Sequence, residues 1–388
     1  MQDLAAHHAP LHAELVAAAE RVLASGRFIL GSAAGGEVSR LEEEAADALH
    51  VAHAVGVSSG TDALLVILMA AGVGPGDEVV TTPFSFIAGA GAIARLGARP
   101  VFADVDRDTL TLDPDAAVAR IGPRTRAVLT VHLHGRVART APLEEACARR
   151  GIALLEDAAQ AISARSSEGT PVARADSAAD TIAAGGTKER WPGAIGRAAA
   201  LSFFPTKILG GFGDGGMVLT NDGAFAERAR VLRVHGATAR FHHVALGGNF
   251  RLDELQAALL RVKLPRLPGW IAARRRIARR YREALAPTPL ELPPPDPGCV
   301  WSQFVVRAPD GRRDALARHL RARGVQSAVY YPEPLHLQPC FGEARGRPGS
   351  FPEAERACQE VLALPIYPEL SDSQLAHVTS TIADLYRT

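Results

Sequence analysis

Three short runs carry the residue types from which chemistry is built. The first is S-S-G-T-D-A-L at 58–64. It follows an apolar run and precedes a helical one, so glycine supplies a tight turn and Thr61 or Asp62 opens a helix. A helix start leaves backbone N–H groups free at the positive end of the dipole, which suits a phosphate. An ordinary capped helix has the same pattern. The second run is E-D-A-A-Q at 156–160, after I-A-L-L. Two carboxylates and an amide at the end of an apolar strand are costly to bury without partners. Asp157 there either caps a helix or holds a positively charged ring nitrogen. The third run, S-F-F-P-T-K-I-L-G-G-F-G-D-G-G-M at 202–217, sets a lysine before a loop with five glycines. Glycines let the backbone lie close to a ligand. Gly211, Gly213 and Gly216 match G-x-G-x-x-G, but a dinucleotide fingerprint opens a helix, and this one leads into the strand M-V-L-T.

Lysine chemistry has few candidates. The chain has 40 arginines and three lysines: Lys188, Lys207 and Lys263. Only Lys207 stands at a strand end beside a glycine loop. His132 and His134 share one strand face. They are expected to be core or site histidines, with a metal pair as the alternative, and no metal site is assigned. His7, His8 and His12 are expected to be solvated. There is no G-x-S-x-G, Walker A or H-E-x-x-H motif, which argues against common hydrolases and NTPases.

The elements that must position these residues alternate. Apolar β-rich runs at 51–60, 76–86, 99–106, 126–135, 152–161, 200–207 and 215–222 are separated by helical stretches such as 37–49 and 142–150. Strand, helix, strand at this spacing predicts an α/β fold with a mostly parallel sheet flanked by helices. Ligands collect at the carboxyl ends of such strands. There Gly60, Thr61, Phe86, His132, His134, Asp157, Gln160 and Ser202 could converge. Two prolines and a glycine at 264–270 mark a boundary between a large domain, 1–264, and a smaller α+β domain, 265–388. The stretch 163–197, with Lys188, is expected to be a surface insertion.

Composition narrows the class. The 388 residues are 47% hydrophobic and 22% charged, with mean hydropathy +0.04, which excludes a mostly disordered chain. A net charge of +1 gives no field for nucleic acid or an anionic membrane. The longest clean apolar run, 63–73, is too short to span a bilayer, and the first residues do not resemble a secretory signal. Four cysteines without a C-x-x-C pair suit a reduced, cytoplasmic protein.

Taken together and in order, the motifs resemble the DegT/DnrJ/EryC1/StrS nucleotide-sugar aminotransferases. The likeness runs through GRFILG, SSGTDAL, GDEVVTTPFSF, EDAAQA, SFFPTK, GDGGMVLTND, GGNFRLDELQAALL and YYPEPLHLQP, over nearly the whole chain. It implies a pyridoxal 5'-phosphate enzyme of fold type I. It also implies that Lys207 holds the cofactor covalently, Asp157 pairs with the ring nitrogen, Gln160 lies near the ring hydroxyl and Phe86 stacks on the ring. Gly60, Thr61 and Ser202 would take the phosphate. Asn249 would reach the phosphate of a neighbouring subunit, giving a homodimer with shared sites. If Asp157 raises the ring nitrogen's pKa by about 3 units, the pairing is worth roughly 4 kcal/mol.

RFHH at 240–243 and PLHLQP at 334–339 resemble members that aminate 3-keto sugar nucleotides. Arg240, His242, Tyr330, Tyr331 and His336 are therefore expected to meet the substrate, with L-glutamate as amino donor. Ile208, His134 and Tyr330 depart from the residues common in the family, and Gln160 lies unusually far from Ser202. The expected reaction is C3 amination, with C4 amination as the alternative. Dehydratase relatives replace the lysine with histidine, and Lys207 argues against that reading. A non-catalytic sensor keeping the fold is the remaining possibility.

Overall fold

The computed structural model describes residues 3–30, 35–166, 189–344 and 346–387. Most of the expected insertion, with Lys188, lies outside the described residues. Seven strands form one sheet: β1 (His53–Val57), β2 (Glu78–Thr81), β3 (Arg99–Phe102), β4 (Thr125–Val131), β5 (Ala153–Asp157), β6 (Ala198–Ser202) and β7 (Gly216–Thr220). Their order is β1-β7-β6-β5-β4-β2-β3. Only β7 runs antiparallel to its neighbours, so the sheet is mostly parallel, as the sequence predicts. Strands buried on both faces explain the near-continuous apolar runs.

The period-two geometry of a strand splits these residues between two layers. Ala199, Leu201, Met217 and Leu219 pack with Val38, Leu41 and Leu260 on one side. Ala198, Ala200 and Val218 pack with Leu64, Ile67, Leu68 and Phe225 on the other. The helix Gly60–Ala70 buries seven of its eleven residues, consistent with its apolar sequence.

The register brings the motif ends to one edge. Val131, Asp157 and Ala200 are in register across β4, β5 and β6. Ser202 and Val57 both pair with Gly216.

The C-terminal part has its own core, with Tyr281, Phe304, Leu316, Leu362 and Ile382. Its sheet is a two-stranded antiparallel pair, Phe304–Arg307 with Val361–Leu364. The run 324–332 keeps only one bridge, Ala328 to Ala363. At the boundary expected at 264–270 the chain runs on without a loop. Residues 264–266 form a 3-10 turn that leads straight into the helix Leu267–Leu285. Pro265 and Pro268 sit in first-turn positions, where the missing N–H costs nothing. Leu267 and Ile271 pack in the first core, and Ile277, Tyr281 and Leu285 in the second. Among the described residues no helix is long and apolar enough to cross a membrane.

Of the N-terminal histidines, His12 is exposed as expected, but His7 and His8 are drawn into contacts. His7 is buried, bonded through Nδ1 to Glu369 at 2.8 Å and packed on Trp270. His8 accepts from the buried Lys263 at 3.1 Å. Lys263 also donates to the Gly210 carbonyl and lies over the Phe212 ring. These contacts tie the chain's first helix to the glycine loop.

Candidate active site

Ser59, not Thr61 or Asp62, caps the helix Gly60–Ala70: its hydroxyl accepts the Asp62 N–H at 3.0 Å. The Ala63 N–H goes to the Ser59 carbonyl. That leaves the Gly60 and Thr61 N–H groups without a partner among the described residues, at the positive end of the helix. Ser202, from the end of β6, lies against this turn. A Cβ built on Gly60 would stand 2.6 Å from the Ser202 Cβ. One built on Gly216 would stand 2.3 Å from the Ser59 carbonyl oxygen. Only glycine lets β7 and the helix start approach so closely. Gly216 was visible in the sequence as part of a glycine loop, but its partner was not.

Asp157 ends β5 and is buried. Its Oδ1 accepts the Ala159 N–H at 3.0 Å across a turn, and no helix follows for it to cap. Among the described residues no hydrogen bond reaches Oδ2, which faces Gly89. Burial pushes the Asp157 carboxyl above its ordinary range, against the Ala159 N–H and the nearby Lys207. Burial likewise pushes the Lys207 amine down, and Asp157 partly restores it. Each group thus needs an opposite charge to ionise fully. The lysine follows a turn in which its N–H bonds the Phe204 carbonyl at 2.8 Å.

Gln160 is buried between the two parts of the chain. Its Oε1 accepts the His134 N–H at 2.7 Å, and its Nε2 donates to the Tyr331 hydroxyl at 3.1 Å. Phe86 is 59% exposed, with its ring 6.5 Å from that of Tyr331. Gly60, Thr61, Asp157, Ser202 and Lys207 therefore gather along one edge of the sheet, with Phe86, Gln160 and Tyr331 joined by contacts beside them.

Three sequence expectations change. His132 and His134 do not share a strand face, because both follow β4 and His134 turns left-handed at φ 57°. His132 Nε2 bonds Glu156 at 2.8 Å, and both side chains are fully buried. Among the described residues no cluster of three metal-ligating side chains occurs. His336 is not open to substrate. Its ring is fully buried on Phe351, with Nε2 on Glu355 at 3.1 Å. Its apolar neighbours Leu335 and Leu337 could have signalled a core position. Arg240 and His242 stand on an exposed two-stranded hairpin, Ala237–Ala239 with His242–His243, together with Phe241 and Leu246. Among the described residues neither bonds to the Lys207 edge within one chain, and Asn249 is likewise exposed.

Sequence reasoning also missed Glu156. Its Oε1 takes the N–H groups of Gly193 and Gly196 at 3.0 and 2.7 Å. A charged residue inside a buried strand was the available signal.

A mostly parallel sheet with a lysine, a carboxylate and a helix start at its carboxyl edge is the architecture of a transferase that works on a bound cofactor. Residues 10–383 match the DegT/DnrJ/EryC1/StrS aminotransferase family, and the chain belongs to it. A dTDP-3-amino-3,4,6-trideoxy-alpha-D-glucose transaminase of Streptomyces venezuelae is 41% identical, over 98% of this chain and 94% of that protein. A UDP-N-acetyl-3-dehydro-alpha-D-glucosamine 3-aminotransferase of Acidithiobacillus ferrooxidans is 39% identical, over 98% and 96%. The crystal structure of S. venezuelae DesV with a ketimine intermediate superposes with a TM-score of 0.90, at 41% identity and over 100% and 98% of the two chains. The protein is an aminotransferase.

Proposed function

We propose that this aminotransferase carries an amino group from L-glutamate to C3 of a 3-keto UDP- or dTDP-sugar, with pyridoxal 5'-phosphate as cofactor. The observation that carries the reading is the gathering of Lys207, Asp157, Gly60, Thr61 and Ser202 at one sheet edge. The residues fit the cofactor. Free N–H groups at a helix start and the Ser202 hydroxyl suit a phosphate. The free Oδ2 of Asp157, in a site that favours its neutral form, suits a cationic ring nitrogen. The exposed Phe86 face suits a flat ring.

When bound, the cofactor supplies an electron sink for the carbon that exchanges its proton. Asp157 holds the ring nitrogen's proton in place. Lys207 anchors the cofactor. Once released, its Nζ moves a proton to and from the substrate carbon, which the lowered pKa of the amine assists.

Exposed Phe86, Phe204, Phe212, Phe241 and Leu246 support a homodimer, because apolar surface of this kind marks an interface. A partner would bring Asn249, Arg240 and His242 to the neighbouring site. There the two-domain division at 264/265 would leave Tyr330 and Tyr331 facing substrate from the smaller domain. Four free cysteines, three of them buried, support a cytoplasmic location.

The names of the two curated relatives favour C3 over C4. Incubation of the purified protein with L-glutamate and matched 3-keto and 4-keto sugar nucleotides tests this. The 3-amino product is expected, and amination of the 4-keto sugar alone would overturn the position.

A further inference from the structure

We propose that Tyr331 is a positioning residue whose hydroxyl, carried on the strap 328–334 of the C-terminal part, fixes the amide of Gln160 against the cofactor ring. The inference rests on the cofactor reading above. It adds a role beyond contact with the sugar.

The argument starts from the amide's two ends. A backbone N–H can only donate, so the Gln160 atom that meets the His134 N–H at 2.7 Å is the oxygen. The other end is then the NH2 group, and it donates to the Tyr331 hydroxyl at 3.1 Å. Hydrogen-bond chemistry assigns the orientation without ambiguity between oxygen and nitrogen. The Tyr331 ring also lies 6.5 Å from that of Phe86, and the hydroxyl's own proton remains available to donate.

The phenol stays neutral, because burial and the nearby Asp157 both push its pKa up. The ring is wedged by Phe84 at 6.0 Å, edge-on, and by Tyr330 at 6.0 Å. On the other side, the His134 carbonyl accepts the Gln303 N–H at 3.4 Å. The turn 133–135 and one strap therefore hold Gln160 at both ends. With Tyr331→Phe the ring packing remains. Gln160 Nε2 loses its acceptor, and the amide is held at one end only.

The test uses the reconstituted full-length protein. The pH midpoint of the cofactor's visible band, the cofactor's dissociation constant and kcat are measured for wild type, Tyr331→Phe, Gln160→Ala and the double variant. Tyr331→Phe is expected to shift the midpoint by about half a pH unit or more and to lower kcat roughly tenfold, as for one lost hydrogen bond. The KM for the sugar nucleotide should change little. The double variant should match Gln160→Ala, since Tyr331 acts through that residue. A Tyr331→Phe protein with the wild-type midpoint and kcat overturns the proposal. So does a raised sugar KM with an unmoved midpoint, or full additivity in the double variant. If wild type itself forms no visible band, the cofactor reading fails first, and this inference with it.

Discussion

Replacing Glu156 by glutamine tests whether the sheet edge is held by a locked hydrogen-bond chain. Glu156 Oε1 accepts from Gly193 and Gly196, and Oε2 faces His132 Nε2. His132 Nδ1 accepts the Ala138 N–H at 3.2 Å, so the ring proton sits on Nε2 and donates to Glu156. A glutamine must turn its NH2 group either toward the two glycine donors or toward the His132 proton. Switching the histidine tautomer moves the conflict to Ala138. In every arrangement one fully buried donor is left facing another donor, at a cost of about 1–3 kcal/mol. The bonds that survive are also weaker, because a neutral amide replaces a carboxylate. At about 2.1 cal/mol/K per residue, unfolding all 388 residues together carries an entropy near 0.8 kcal/mol/K. A loss of about 2–3 kcal/mol therefore lowers Tm by roughly 3 °C. Differential scanning calorimetry of the two proteins at pH 7 reads this. A Glu156→Gln variant melting within about 1 °C of wild type would refute the locked-chain reasoning, since it would require a satisfied arrangement the geometry does not offer.

Two further perturbations probe the phosphate turn and the N-terminal clasp. Gly60→Ala places a methyl 2.6 Å from the Ser202 Cβ and 3.2 Å from its Cα, so the turn must shift. Cofactor affinity is expected to weaken by about tenfold, equivalent to a 1.4 kcal/mol strain in a tightly packed place, as read by fluorescence titration; unchanged affinity would count against the turn as the phosphate site. His8 is held at a pKa of about 4, below its ordinary 6.5, by burial first and by Lys263 next. Between those two values the unfolded chain takes up a proton that the fold refuses, so stability falls as pH drops through that window. His8→Gln keeps an acceptor for Lys263 and should flatten this slope in urea titrations between pH 4 and 6.5. A variant with the wild-type slope would show that His8 does not contribute to it.

How much was legible in the sequence depended on whether a signal was local. The strand ends were legible because apolar runs stop at turn and charge residues, and Asp157, Ser202 and Lys207 each follow such a run. The helix starts one or two residues earlier than expected, at Gly60, because Ser59 and Asp62 are both good caps and the Ser59 hydroxyl takes the Asp62 N–H. The burial of His7 and Lys263 was not legible. Each is polar by type, and each finds its partner far along the chain, at Glu369 and Gly210. The helical run across 264–270 was not legible either, because prolines that mark a boundary also fit a helix's first turn. His134 was expected at the same strand ends as Gln160, but the Tyr331 contact lay beyond reach, because it forms only when the C-terminal part packs on the sheet edge.

The central claim is that Lys207 and Asp157 operate a bound cofactor on which an amino group rests between donor and acceptor. The most direct measurement is the visible absorbance spectrum of the purified protein, supplied with pyridoxal 5'-phosphate, before and after addition of L-glutamate. The account predicts a yellow band that glutamate shifts to the amine form, and no such band in a folded Lys207→Ala protein. A wild-type spectrum with no band, or a Lys207→Ala protein that responds as wild type does, would contradict it.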